Sequence, residues 1–153
     1  MLRFKQLMLS LMTIFLLLGC FSDDEAPQKK RVTPNKITFL FVTQPDCPAC
    51  DYLEKSMNLD RPKDLLNKYF DVKKLYYGEK LPAGITPPNG TPTVYFLGSN
   101  DEILVEPMVG QRDEEGLMEY LNDALLEFKN TYRVDLEKLK REEENATTQL
   151  STT

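Results

Sequence analysis

Residues 37–51, ITFLFVTQPDCPACD, run from an apolar stretch directly into two cysteines with two residues between them. The β-branched and aromatic residues of 37–42 predict a strand, and apolar residues at nearly every position are typical of a strand buried on both faces. A helical pattern follows from Cys50. A strand, then Cys-x-x-Cys, then a helix is the arrangement in which such a cysteine pair indicates redox chemistry.

The place of Cys47 at the start of the predicted helix indicates which thiol attacks. Unpaired backbone N–H groups and the positive end of the helix dipole favour a thiolate there. The thiolate is the nucleophile of thiol–disulfide exchange. We therefore assign Cys47 as the attacking thiol and Cys50 as the resolving thiol. Pro48 and Ala49 form the spacer, and Pro48 suits the first helical turn because its missing N–H would have no partner there.

The composition excludes several other functions. The chain has 153 residues, 41% of them hydrophobic, and a formal net charge of −5, which fits one packed domain. The acidic balance argues against a nucleic-acid partner. The chain contains no histidine, which excludes Ser-His and Cys-His catalysis. A zinc site would need about two more ligands beside the cysteine pair, so we predict neither a metal nor a cofactor.

The N-terminus predicts export. Residues 1–5 carry two basic side chains, Arg3 and Lys5, residues 7–18 are nearly all apolar, and Gly19 and Cys20 follow. The apolar run is shorter than the roughly 20 residues that span a bilayer. The alternatives that remain open are a secretory signal that leaves Cys20 as a free thiol and an uncleaved anchor.

Leu17-Leu18-Gly19-Cys20 resembles the lipobox of bacterial lipoproteins. The resemblance implies that residues 1–19 are a signal peptide and that Cys20 is acylated. Acylation would remove an odd thiol from an oxidising compartment, and several acyl chains would hold the protein stably on a lipid membrane. Residues 20–35 are polar and charged and predict an unfolded linker.

The remaining chain predicts one α/β domain over 36–132 and a charged, disordered tail over 133–153. The elements predicted after the first strand are helices over 50–57 and from Asp60, a strand over 70–77, a β-hairpin over 93–97 and 103–105, and a helix over 113–129. In the last helix, apolar residues repeat at helical spacing and predict a buried face.

Asn89-Gly90-Thr91-Pro92-Thr93 leads into the predicted hairpin. Together with the strand, the Cys-x-x-Cys helix and the closing helix, this stretch resembles the thioredoxin superfamily over 36–129. The resemblance implies a thioredoxin-like fold, in which a mixed central sheet is flanked by helices. It also implies that the Thr91–Pro92 bond is cis and lies against the cysteines, and that Thr91 and Pro92 bind an extended substrate segment by short strand addition.

The sequence departs from thioredoxin at three places. Phe41 stands where thioredoxin has a buried acid, so resolution by Cys50 depends on water or on another acid. Asp46 stands where thioredoxin has tryptophan, and its charge opposes a thiolate on Cys47. Residues 78–89 lack the pattern of a second helix. The resemblance is therefore to a short thioredoxin-like domain.

These observations predict an extracytoplasmic, membrane-anchored, monomeric thiol–disulfide oxidoreductase in a bacterial periplasm. Resemblance to small anchored reductases, and the lack of histidine between the cysteines, favour reduction of protein disulfides with electrons from a membrane dithiol protein. The alternatives are a thiol oxidase or isomerase, and a non-catalytic binding lipoprotein with a structural disulfide. Residues 143–147, EENAT, also resemble a bacterial N-glycosylation sequon with Asn145 as the acceptor.

Overall fold

The structure, a computed structural model, describes residues 35–150. The predicted signal peptide, Cys20 and the linker up to residue 34 lie outside this part of the chain. The elements in chain order are β1 (Ile37–Thr43), α1 (Pro48–Met57), α2 (Asp60–Tyr69), β2 (Phe70–Tyr76), β3 (Thr93–Leu97), β4 (Met108–Val109), α3 (Glu114–Tyr132) and α4 (Leu136–Leu150).

The four strands form one mixed sheet in the order β2-β1-β3-β4. β1 and β2 are parallel, with Ile37 opposite Phe70, whereas β3 is antiparallel to β1 and to β4. β1 is therefore an inner strand, and all its residues except Thr38 are buried. This confirms the predicted strand and its burial on both faces. This mixed sheet, with helices flanking it, has the strand order of a thioredoxin-like α/β fold.

The main core lies between the sheet and the helices. Phe39 and Phe96, on paired strands, meet edge to face with ring centroids 5.4 Å apart. Helix α3 covers this face with a fully buried stripe: Leu117, Leu121, Ala124 and Phe128. These residues confirm the helical spacing predicted from the sequence.

A smaller cluster occupies the other face of the sheet. Leu40 and Val42 alternate with the main-core residues along β1 and so point to this face. They pack with Tyr95 and Leu97 of β3 and with Ile85. Ile85 belongs to the segment 77–92, which contains no helix, as its lack of a helical pattern predicts.

The strand that pairs with β3 differs from the one predicted. The fourth strand is Met108–Val109, and Ile103 forms only an isolated bridge with Leu97. Residues before β4 instead make a tight loop, in which the backbone N–H of Asn100 donates to the Glu102 carboxylate at 2.8 Å. The predicted hairpin is confirmed in its first strand, whereas its second strand pairs with β3 only at Ile103 and at Leu104, whose backbone N–H donates to the Phe96 carbonyl at 2.9 Å.

The C-terminal tail is a helix over Leu136–Leu150, where the sequence predicted disorder. Asp135 begins it by accepting a hydrogen bond from the backbone N–H of Lys138 at 3.0 Å. Leu136 is only 4% exposed and joins the main core, with Leu139 packed beside it. The prediction failed because it weighed the charge of the segment and not its few apolar anchors.

Candidate active site

Helix α1 holds the first cysteine at its N-terminus. Cys47 is the N-cap residue, Pro48 is the first helical residue, and the backbone N–H of Cys50 donates to Cys47 Sγ at 3.2 Å. Asp46, the residue before the cap, adopts a left-handed conformation with φ of 53°, which aspartate tolerates better than most residues. The sulfur of Cys47 therefore lies where backbone donors and the helix dipole stabilise negative charge.

Cys47 and Cys50 are joined by a disulfide, with their Cα atoms 5.2 Å apart. The two residues differ in exposure: Cys47 is 7% exposed and Cys50 1%. Pro48 is exposed and Ala49 is partly buried between them. Both residues are therefore buried, and Cys47 is the more accessible of the two.

The Thr91–Pro92 stretch meets the cysteine pair. The peptide bond between these residues is cis, and Thr91 Oγ1 lies 3.7 Å from Cys47 Sγ. Pro92 is buried, and its carbonyl accepts a hydrogen bond from the backbone N–H of Gly110 at 2.8 Å. The Thr93 hydroxyl donates to the Gly90 carbonyl at 2.8 Å. The structure thus brings together the two stretches that the sequence analysis selected.

One positioning contact was missed by the sequence analysis. Ser56 of α1 is only 5% exposed, and its hydroxyl donates to the Arg112 carbonyl at 2.8 Å. This bond ties α1 to the segment that follows β4, and Gly110 in that segment holds Pro92. The sequence offered one indication of this contact, because Ser56 is a polar residue at a position that faces the core in the predicted helix.

A second missed feature is an ion pair beside α1. Glu54 of α1 pairs with Lys74 of β2, and the lysine ammonium lies 5.8 Å from the centroid of the Phe41 ring. The hydrogen bond from Lys74 to Glu54 raises the pKa of the lysine. The signals in the sequence were the four-residue spacing from Cys50 to Glu54 and a lysine pair within the second strand.

Two features are absent from residues 35–150. No group of three or more histidine, cysteine, aspartate or glutamate side chains in this range could hold a metal ion. No helix in the same range has both the length and the apolar character to cross a bilayer. A cleft of about 440 Å³ opens beside the C-terminal end of β2, between Tyr76, Tyr77 and the proline-rich loop.

Comparison with known proteins gives a limited likeness. No protein-family model and no curated protein matches the chain. Among the solved structures that match, the periplasmic thioredoxin SoxS from Paracoccus pantotrophus, in its reduced form, is 22% identical in sequence. The match covers 58% of this chain and 99% of that chain, with a TM-score of 0.46. The sheet order of the chain itself gives it a thioredoxin-like fold, and its Cys-x-x-Cys pair is joined by a disulfide.

Proposed function

We propose that this protein is a thiol–disulfide oxidoreductase that reduces disulfides in other proteins. The observation that carries the proposal is the meeting of three features at one point: the Cys47–Cys50 disulfide, the N-terminus of α1, and Thr91 at 3.7 Å from Cys47 Sγ. A disulfide that closes so short a loop contributes little to stability in the loop-entropy model. Its chemistry is a better reason for its presence than its stabilising effect.

The reaction consists of two exchanges. The Cys47 thiolate attacks one sulfur of the substrate disulfide, which forms a mixed disulfide and releases the other substrate sulfur as a thiolate that takes up a proton. The Cys50 thiolate then attacks Cys47 Sγ, breaks the mixed disulfide and releases the second substrate thiol. Two electrons pass to the substrate, and the Cys47–Cys50 disulfide is the oxidised product. No cofactor takes part.

The surroundings of the two cysteines support Cys47 as the attacking thiol and Cys50 as the resolving thiol. The N–H of Cys50 donates to Cys47 Sγ, and hydrogen bonds to a charged form favour it. Cys47 is the more exposed of the two. Cys50, buried one turn into the helix, attacks only Cys47 Sγ, and only after that sulfur has been joined to the substrate.

Thr91 and Pro92 provide the substrate-binding surface in this proposal. Thr91 is only partly buried and its side chain already touches the reactive sulfur. A substrate segment extended beside Thr91 would present its own sulfur to Cys47 and form backbone hydrogen bonds of the strand-addition type. The fixed turn at Pro92, held by Gly110, keeps this surface at one distance from the sulfur.

The proposed membrane location, and the proposed direction of the reaction as reduction of the substrate, rest on the sequence. The lipobox-like stretch before Cys20 supports a lipid-anchored protein on the extracytoplasmic side of a bacterial membrane, and the acidic monomer would receive electrons from a membrane dithiol protein. Substituting Cys20→Ser should release the protein from the membrane fraction and abolish labelling by radioactive palmitate. A variant that stays in the membrane would contradict lipid anchoring.

Insulin reduction tests the activity. Wild type with dithiothreitol should precipitate the insulin B chain faster than dithiothreitol alone, and Cys47→Ser should not. Cys50→Ser should accumulate mixed disulfides that identify the substrate by mass. A native Cys47–Cys50 pair that dithiothreitol fails to reduce would instead support a binding lipoprotein with a structural disulfide. A reduction potential near about −120 mV would support a thiol oxidase.

A further inference from the structure

The resolving step requires Cys50 to lose a proton in a place that water reaches poorly. Cys50 is 1% exposed and belongs to the main core cluster, together with Phe41. A thiol must become a thiolate before it attacks a disulfide, and burial among apolar groups opposes that ionisation. The attack by Cys50 therefore requires a nearby group that can accept this proton.

Glu54 is placed to be that group. It lies four residues after Cys50 in α1, so the two side chains share one helix face, with Cβ atoms about 5–6 Å apart. Its side chain is 40% exposed, which gives a proton a route from the core to solvent. A glutamate carboxylate can reach a neighbour at this spacing directly or across one water molecule.

Lys74 fixes the orientation of this carboxylate. It lies on β2 directly opposite Phe41 in the strand register, and its ammonium both pairs with Glu54 Oε1 and lies over the Phe41 ring. The second carboxylate oxygen still carries lone pairs that can accept a proton. Phe41 is apolar and cannot accept the proton of Cys50. Its ring instead contacts the ammonium of the Lys74–Glu54 ion pair.

The other charged groups near this pair are less well placed. Asp51 influences the ammonium of Lys74, as does Tyr76 of β2. Asp51 is exposed and, one residue after Cys50, projects about 100° away around the helix. Asp46 lies outside the helix on an exposed turn. Glu54 is the acid that shares the face of Cys50.

We propose that Glu54, oriented by Lys74, accepts the proton of the Cys50 thiol as Cys50 attacks Cys47 Sγ. The proposal rests on the function proposed above and assigns the base of its second step. The proton moves from Cys50 Sγ to the carboxylate, the new Cys50–Cys47 bond forms, and the bond from Cys47 to the substrate sulfur breaks. The substrate thiolate leaves with the electron pair, and Glu54 returns its proton to solvent.

Stopped-flow reaction of the reduced protein with Ellman's reagent, in a Cys20→Ser background that leaves Cys47 and Cys50 as the two thiols, separates the two steps. The first release of thionitrobenzoate reports attack by Cys47, and the second reports attack by Cys50 on the mixed disulfide. At pH 7 we expect Glu54→Gln to slow the second release by about tenfold or more, since a positioned base commonly contributes that much. The first release should change by less than about twofold, because Glu54 does not act in that step.

Asp51→Asn is the matched control, because it removes the same charge from the same helix turn on a different face. It should leave the second release within about twofold of wild type. Lys74→Met, which removes the ion pair, should slow the second release by about threefold. Added acetate should partly restore the second release in Glu54→Ala, a rescue that a purely structural role would not show.

The outcomes distinguish this inference from the proposed function. A wild-type protein that shows both releases, with Glu54→Gln unchanged or with Asp51→Asn equally slow, overturns the role of Glu54 and leaves the oxidoreductase intact. Failure of acetate to rescue Glu54→Ala, in protein shown to be folded by circular dichroism, also overturns it. A wild-type protein that gives no second release and does not reduce insulin overturns the function itself.

Discussion

Thr91 Oγ1 lies 3.7 Å from Cys47 Sγ, although the two residues are 44 positions apart in the chain. The hydroxyl can donate to the sulfur once the disulfide is reduced, and a hydrogen bond to a charged form favours that form. Thr91 therefore contributes a side chain to the reactive sulfur in addition to the backbone surface at which the substrate is expected to bind.

Thr91→Val removes this hydroxyl and keeps the shape of the side chain. A hydrogen bond to a charged group contributes about 1 kcal/mol more than the same bond to a neutral one, so we expect the pH midpoint for alkylation of Cys47 by iodoacetamide to rise by about half a unit to one unit. The measurement uses Cys20→Ser/Cys50→Ser as background, so that Cys47 is the one thiol that reacts. Thr38→Val, on β1 away from the sulfur, is the control. An unchanged midpoint in Thr91→Val would show that the hydroxyl does not stabilise the thiolate.

The link between α1 and the segment after β4 depends on Ser56. Its buried hydroxyl donates to the Arg112 carbonyl at 2.8 Å, and Ser56→Ala would leave that carbonyl without this donor. We expect the variant to lose about 1–2 kcal/mol of unfolding free energy, measured by urea denaturation of the oxidised protein.

Ser99→Ala provides the comparison for Ser56→Ala. Ser99 also hydrogen-bonds through its hydroxyl, to Tyr132 at 3.2 Å, but it is exposed. Water can replace its partner, so its loss should cost less than about 0.5 kcal/mol. Equal losses for the two serines would contradict the importance of burial at Ser56.

The site was predictable from the sequence as far as its local patterns reached. The apolar run of β1 and the two cysteines after it define the start of α1, and the sequence indicated Cys47 as the helix-start residue. The contact between Thr91 and Cys47 came from resemblance to a family, because no local pattern relates residues so far apart. Ser56, Glu54 and Lys74 were not selected, since their roles depend on which strand or loop each one faces.

The fold was predictable where buried residues recur periodically, and it was not predictable where one or two residues determine whether a segment forms a strand or a helix. The stripe of α3 repeats at helical spacing, so its helix was found with nearly correct ends. The second strand of the hairpin was misplaced because the apolar run 103–105 is short and pairs with β3 only at Ile103 and Leu104, while the strand itself forms at Met108–Val109. The tail was misjudged because Leu136 alone supplies a deeply buried anchor in a charged segment.

Leu136→Ala tests that anchor. Removal of a buried leucine side chain costs about 2–5 kcal/mol, and here we expect the loss of unfolding free energy to accompany loss of α4, seen as reduced ellipticity at 222 nm. Leu126→Ala, at a position that is 57% exposed in α3, is the matched control and should change stability by less than about 0.5 kcal/mol. If both variants kept the full helical signal and stability, α4 would not depend on its contact with the core.

Asp135 gives the stability of the protein a dependence on pH. Its carboxylate accepts a hydrogen bond from Lys129 at 2.8 Å, and this bond holds the pKa of Asp135 below its ordinary value. A carboxyl with a lowered pKa in the folded state contributes stability above the ordinary value of about 4, and the contribution is lost as the pH falls through the lowered value. Asp135→Asn keeps a side chain that can cap α4 and removes the charge. We therefore expect the variant to be less stable than wild type at pH 7 and equal to it at about pH 2, by urea denaturation. Asp123 is exposed on α3, and Asp123→Asn should have the same free energy of unfolding as wild type at both pH values. If Asp135→Asn differed from wild type by the same amount at both pH values, the role of the charge would be contradicted.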